Sequence, residues 1–475
     1  MSDMTRREAL KTLLTALAIP LASQAEWAFA DSALPQTAGH IYFLQATDAE
    51  YGQRRQIFNK RITLMPRLIA VCLSDKGVQT AMQYAAANRL PVAVKSGGHC
   101  FEGYSLNNNG LLIDLSLLKG IKYSAADKSF IAQPGAKLGD VYAYLAQFKR
   151  LIPAGSCAGV GVAGLTLGGG YGFFSRTLGL TCDSLMRVKM VDGQGNLLDS
   201  KDNAELLWAC KGGNNGSLGI VTELQFKTHP TPTSFTNYRF KYRSLTTRKV
   251  SELAERWFKL MPSLPTTCYS SWVLGPTQLT ILVTDMTERT APQLQTILHQ
   301  LGSGATAIQG AQKDEFLRGI QRFRGGTEPM YFKNVSAGYY NGYADIKNVL
   351  PALFAQMQAS PLKQNLIQIN TLGGAIRTGF SADSAAYPHR NYLYLGEFQV
   401  YYQRSSETAK AETLVNQVQQ RFTQAGIQAH YANYPDIGLK NWAQAYYAGS
   451  YPRLQALKRK LDPNNRIQHP QSIRI

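Results

Sequence analysis

A histidine and a cysteine carry the chemistry most legible in this chain, because each sits in a loop that is nearly all backbone. His99 ends the run Lys95-Ser96-Gly97-Gly98-His99, with Gly103-Tyr104-Ser105 close behind. Cys157 sits in Pro153-Ala154-Gly155-Ser156-Cys157, which runs into Val160-Gly161, Gly164, the triplet Gly168-Gly169-Gly170 and Tyr171-Gly172. Glycine is used where backbone must lie directly against a ligand or take a positive φ. An imidazole and a thiol, one in each such loop, suggest two covalent anchors on one bound cofactor. Taken singly, His99 is an ordinary turn histidine, and Cys157 is a small buried hydrophobe, the usual fate of a free cysteine. The Gly159-Val160-Gly161-Val162-Ala163-Gly164 stretch satisfies GxGxxG. A dinucleotide fingerprint should follow a strand and open a helix, but here Cys157 precedes the stretch and another glycine cluster follows directly, so that reading is set aside.

These loops need elements to hold them. Apolar runs at residues 67–72 and 91–94 predict strands, with a helix at 75–88 between them, and the second strand delivers the chain into the His99 loop. Further strands are expected at 111–115 and 129–133, and a helix at 139–148. A hairpin is expected over 185–199, turning at Gly193-Gln194-Gly195-Asn196, and a short helix at 204–209. The character changes at His229-Pro230-Thr231-Pro232-Thr233, a plausible boundary. Beyond it, strands are expected at 235–242, 270–274, 278–285, 365–370 and 392–402, and helices at 249–261, 291–301 and 407–425. Alternation over 392–399 puts Glu397 on one face of its strand together with Leu393, Leu395 and Gln399. The pattern is α+β, with an antiparallel sheet covered by helices in the second half.

At 475 residues the chain is too long for one small core, so two domains are expected. Hydrophobic residues make up 44% and charged residues 17%, which argues against wholesale disorder. The net charge of +19 invites a nucleic-acid reading, but the basic residues are scattered and no nucleic-acid-binding motif appears. Solubility, or steering of anionic substrates and of a cofactor diphosphate, accounts for it. Residues 1–30 read as a twin-arginine export signal: Thr5-Arg6-Arg7-Glu8-Ala9-Leu10-Lys11, an apolar stretch over 12–22, and Ala28-Phe29-Ala30 as cleavage site. That apolar stretch is too short for a membrane span, so no stable membrane insertion is expected. In an exported protein the six cysteines can form disulfides, and with Cys157 assigned elsewhere an odd number remains. No spacing resembles a metal site.

The paired loops resemble the flavin-attachment sites of the berberine bridge enzyme-like oxidases, in the vanillyl-alcohol oxidase/p-cresol methylhydroxylase class of flavoproteins. Two more landmarks match in order: Gly212-Gly213-Asn214-Asn215-Gly216-Ser217-Leu218-Gly219-Ile220-Val221-Thr222, and Tyr431-Ala432-Asn433-Tyr434-Pro435-Asp436 with the residues that follow it. The resemblance implies a two-domain fold. A PCMH-type FAD-binding domain would span 31–235, a substrate-binding domain 236–428, and a C-terminal segment, 429–475, would return to the first domain. It implies FAD bonded through His99 at the 8α-methyl and Cys157 at C6. The Lys95-Ser96-Gly97-Gly98 and Tyr104-Ser105 segments, with Gly161, Gly164, Gly168, Gly169 and Gly172, would form the cradle; backbone N–H groups at 96–99 and 164–169 would hold the diphosphate. Gly219, Ile220 and Val221 would lie along the adenosine half, Asn433 at the flavin edge, and Val160 over the position where dioxygen reacts, a valine there going with oxidases. Tyr434 aligns with the catalytic tyrosine of the group's carbohydrate oxidases and Glu397 with a glutamate base of the berberine bridge enzyme. Asn370, Tyr401 and Arg377 are further candidates for substrate contacts.

The function so implied is oxidation of an alcohol or hemiacetal carbon of a carbohydrate or similar small molecule, with dioxygen reduced to hydrogen peroxide. The alternatives are an oxidase of aromatic or alkaloid-like metabolites, acting on C–H or C–N bonds, and a dehydrogenase with another electron acceptor.

Overall fold

The computed structural model describes Leu34 and residues 39–475, so the expected export signal lies outside the described residues. Leu68–Cys72, Leu111–Asp114 and Val92–Lys95 pair in parallel, with Ile41–Leu44 antiparallel at one edge and Val92–Lys95 at the other. Continuous apolar runs are what parallel strands covered on both faces require. Between Leu68–Cys72 and Val92–Lys95 runs the helix Asp75–Ala87, whose N-cap Ser74 accepts a hydrogen bond from the Gly77 N–H. The end of Val92–Lys95 releases the chain into the His99 loop.

A five-stranded antiparallel sheet follows, ordered Ile121–Ser124, Ser129–Ala132, Ile220–Lys227, Leu185–Val191, Leu197–Asp199. The predicted hairpin closes Leu185–Val191 onto Leu197–Asp199, with Gly195 at φ +89° in its turn.

Seven antiparallel strands form the largest sheet, ordered Ala307–Asp314, Phe235–Tyr242, Leu279–Asp285, Cys268–Leu274, Asn365–Thr371, Tyr394–Tyr402, Tyr331–Tyr340. Alternate residues point to opposite faces. Trp272, Ile281, Ile367, Ile369, Phe398 and Val400 form one apolar face. They pack in one core with Val250 and Trp257 of the helix Thr247–Leu260, Leu353 and Phe354 of Leu350–Ala359, and Val415 and Val418 of Thr408–Gln424. The opposite face carries Tyr269, Gln368, Asn370, Glu397, Gln399 and Tyr401, and this polar face positions the site.

The α+β fold is the one expected, and most predicted elements appear within a residue or two. Among the elements not anticipated are the strands Ile41–Leu44, Ile121–Ser124, Ile220–Lys227, Ala307–Asp314 and Tyr331–Tyr340 and the helices Phe316–Gln321, Leu350–Ala359 and Tyr451–Leu461. All six cysteines are free; Cys72, Cys182, Cys210 and Cys268 are buried, where they act as small hydrophobes. After the helix Tyr451–Leu461 the chain reaches back to the first sheet, where the Val92 N–H donates to the Arg466 carbonyl at 2.7 Å.

Candidate active site

The two glycine-rich loops touch backbone to backbone. A Cβ on Gly97 would stand 2.4 Å from the Gly161 nitrogen, so only glycine fits. Gly98 takes φ +68°, and its carbonyl accepts from the Phe58 N–H at 3.0 Å. His99 stacks on Phe58 at 4.2 Å between centroids, and its Nε2 faces Gly159, where a Cβ would lie 3.0 Å away. Burial, with Lys137 nearby, lowers the His99 pKa to about 4. The ring is therefore neutral at physiological pH and keeps the lone pair that a covalent bond needs.

Cys157 is exposed. Densely packed protein lies behind it, and that desolvation, with the Glu397 carboxylate second, raises the thiol pKa. A segment from the second half of the chain covers this loop: Ala158 N–H donates to the Arg324 carbonyl at 2.8 Å. A Cβ on Gly325 would come 3.5 Å from Cys157 Sγ. His99 and Cys157 thus stand on adjoining loops, the arrangement that two anchors on one planar group require.

The other expected cradle residues divide. Ser105 Oγ, and in the Gly212 segment Ser217 Oγ and Thr222 Oγ1, are buried without hydrogen-bond partners. Unsatisfied buried hydroxyls fit a group rich in acceptor oxygens, as FAD is. A Cβ on Gly164 would meet open space, so that backbone is approachable. Lys95 is engaged within the fold: its Nζ pairs with Asp114 Oδ2 at 3.2 Å and donates to the Arg54 carbonyl. The Tyr104 hydroxyl donates to Gln471 Oε1 at 2.8 Å and its ring stacks on His469, tying this loop to the C-terminal tail. Gly168 lies against Asn433, Gly169 against the Tyr387 ring and Gly172 against the Ala154 carbonyl. Asn433 Nδ2 donates to the Leu165 carbonyl and to the Tyr431 hydroxyl, both at 2.9 Å. Gly219 packs against Met190, and Ile220 and Val221 are buried in a central strand. Ser96 and Val160 are half-buried beside the contact between the two loops.

Tyr434 ends a hydrogen-bonded chain. Its hydroxyl is 2.6 Å from that of Tyr171, which receives Asn370 Nδ2 at 3.0 Å. Asn370 Oδ1 in turn accepts from the Tyr269 hydroxyl at 2.5 Å and from Gln368 Nε2 at 2.8 Å. The Tyr434 ring stacks on Phe101 at 5.2 Å and 7°. Glu397 is 5% exposed. Desolvation raises its pKa to about 8, with Gln399 and the Tyr434 hydroxyl pulling it back down. Burial and the Glu397 charge keep the Tyr434 phenol well above its usual value. Tyr401 accepts from Asn334 Nδ2 at 3.1 Å and donates to Gln399 Oε1 at 3.0 Å. Arg377 is exposed on the short helix Ala375–Thr378.

The structure therefore groups Tyr434, Glu397, Asn370 and Tyr401, and adds Tyr171, Tyr269, Gln368, Gln399 and Phe101. One sequence signal pointed to Tyr171: it is the large side chain directly after three glycines.

The chain is similar to known proteins in both sequence and fold. Residues 66–201 match the family described as FAD binding domain, and residues 430–474 match Berberine and berberine like. An uncharacterized FAD-linked oxidoreductase, YgaK, of Bacillus subtilis is 28% identical, over 90% of this chain and 95% of that protein. A carbohydrate oxidase of Microdochium nivale is 27% identical, over 90% and 91%. The solved structure of Physcomitrella patens BBE-like 1 is 25% identical with a TM-score of 0.83, covering 92% of this chain and 97% of that one. With both family segments in order on this fold, the chain carries an FAD binding domain and a berberine-like segment, and it is similar to the berberine bridge enzyme-like FAD-linked oxidoreductases.

Proposed function

We propose that this enzyme is an oxidase that removes hydride from an alcohol or hemiacetal carbon of a carbohydrate or similar neutral molecule. FAD is held through His99 and Cys157, and dioxygen is reduced to hydrogen peroxide. The observation that carries the reading is the Tyr171–Tyr434 pair beside a buried Glu397, on the polar sheet face near Cys157. When bound, FAD supplies the hydride acceptor and the route to dioxygen.

The protein's task is to take the hydroxyl proton as hydride leaves carbon. Tyr434 is the group poised to receive it, held by Tyr171, which is itself fixed by Asn370. A phenol with so high a pKa is a poor base alone. The substrate proton passes to the Tyr434 oxygen as the Tyr434 proton passes to the Glu397 carboxylate. A carboxyl with a pKa of about 8 is suited to accept it near neutral pH. Gln368, Asn370, Gln399 and Tyr401 line the same face with groups that both donate and accept, as sugar hydroxyls do. The named activity of the Microdochium nivale relative favours the same substrate class.

The stack of Phe101 on Tyr434, with Phe332 edge-on to Phe101, favours a second reading: a flat aromatic substrate with Glu397 as the direct base. Turnover of neutral mono- and oligosaccharides with peroxide formation in air tests the first reading. Turnover only with an artificial acceptor points to a dehydrogenase. Among the described residues no helix is long and apolar enough to cross a membrane. The Arg6-Arg7 signal supports export to the periplasm or beyond, and Arg6→Lys with Arg7→Lys should hold the protein in the cytoplasm.

A further inference from the structure

We propose that Lys333 is a positioning residue for hydride transfer, its ammonium clamping the His99 loop to the Tyr434 segment through Glu102 and Asp436. The inference rests on the reading that His99 carries the flavin and Tyr434 receives the proton.

Glu102 follows His99 by three residues, and Asp436 follows Tyr434 by two. Lys333 lies between them on the strand Tyr331–Tyr340. Its Nζ is paired with Asp436 Oδ1 at 3.1 Å and with Glu102 Oε1. All three side chains are within 4% of full burial. Each carboxylate is also fixed from its far side. Glu102 Oε2 receives Arg61 Nη2 at 2.5 Å, and Asp436 Oδ2 receives Gln419 Nε2 at 3.1 Å. A direct bond closes the clamp, the Ile437 N–H donating to Glu102 Oε1 at 3.3 Å. At its catalytic end, Phe101, next to Glu102, stacks on Tyr434.

A buried ion pair adds little net stability over apolar side chains of the same volume, because desolvation offsets the attraction. What the charges supply here is a fixed separation between two loops far apart in sequence. That separation matters because one loop carries the hydride acceptor's anchor and the other the proton acceptor. Displacement of reacting groups by about 1 Å is enough to lower a rate about a hundredfold.

The test compares holoenzymes of wild type, Lys333→Arg, and the double variant Lys333→Met/Asp436→Asn. The double variant removes one buried charge of each sign, and Glu102 keeps Arg61 as its counter-ion. Two quantities are read: the fluorescence lifetime of bound flavin, which shortens steeply with proximity to a quenching phenol, and kcat and KM for cellobiose. We expect the double variant to retain covalent flavin and a KM within about twofold of wild type. Its flavin lifetime should lengthen toward that of Tyr434→Phe, and kcat should fall about tenfold or more. Lys333→Arg should restore most of both. A folded, flavin-loaded double variant with unchanged lifetime overturns the proposal, as does one whose only change is a lower melting temperature. Wild type inert to cellobiose and to other neutral sugars sinks the carbohydrate reading instead; the lifetime comparison, which needs no substrate, still decides the role of Lys333.

Discussion

The hydroxyls of Tyr171 and Tyr434 meet at 2.6 Å, joining the glycine-rich Cys157 loop to the C-terminal segment across 263 residues of sequence. The contact places a phenol from each of two loops over the polar face of the seven-stranded sheet, beside Glu397. It gives Tyr434 one preferred orientation, with its hydroxyl held beside the carboxylate that takes its proton.

Replacing Tyr434 by Phe keeps the ring that stacks on Phe101 and deletes the group that takes the substrate proton. We expect kcat to fall about 10²- to 10⁴-fold, with a small change in KM. Tyr171→Phe removes one orienting hydrogen bond, worth about 1 kcal/mol, so its effect should be near tenfold or less. Steady-state kinetics on the best sugar of a panel decides; full turnover by the Tyr434→Phe variant excludes Tyr434 from the proton path.

Glu397 makes the reaction pH-dependent. It accepts a proton only when ionised, and its pKa is raised to about 8. The kcat/KM should rise with pH up to about 8 and then level off, and Glu397→Gln should be slow and lack that rise.

The same group sets a stability trend. Its folded-state pKa lies above the ordinary glutamate value of 4.5, so the folded state binds the proton more tightly. The associated stability is complete below pH 4.5 and is lost as pH rises toward 8, at up to about 1.4 kcal/mol per pH unit. Urea midpoints across that window should decline less for Glu397→Gln than for wild type.

Gly97 and Gly161 must stay glycine for the two anchor loops to meet. A Cβ at residue 97 would stand 2.4 Å from backbone that has no side chain to move aside. Gly97→Ala should cost about 1–3 kcal/mol in stability, as overpacking does. It should also lower the fraction of chains carrying flavin at both positions, read by absorbance of denatured protein.

Local chemistry is what the sequence discloses well. The apolar runs of the parallel strands and the Gly193–Asn196 turn identify themselves because neighbours in sequence decide them. Alternation alone assigns Glu397 to the face it occupies. The strand Tyr331–Tyr340 escapes that logic because a bulge between Ser336 and Gly338, with Gly338 at φ +93°, breaks its period of two. Ala307–Asp314 is a solvent-exposed edge strand with no buried side to write a pattern. The chain Tyr434–Tyr171–Asn370–Tyr269 was legible only in part, since its members come from four distant segments and meet through tertiary packing. Lys95, grouped with the cradle by its place beside Ser96, instead binds Asp114, a partner on the neighbouring strand.

The central claim is that one flavin is bonded to His99 and Cys157. Tryptic digestion of acid-denatured protein releases the His99 peptide, residues 96–119, and the Cys157 peptide, residues 151–176. Mass spectrometry should find a single yellow species whose mass equals both peptides joined through FAD, with Cys157→Ala reducing it to the His99 peptide plus flavin. Recovery of the two peptides free, from a colourless pellet, would contradict the account.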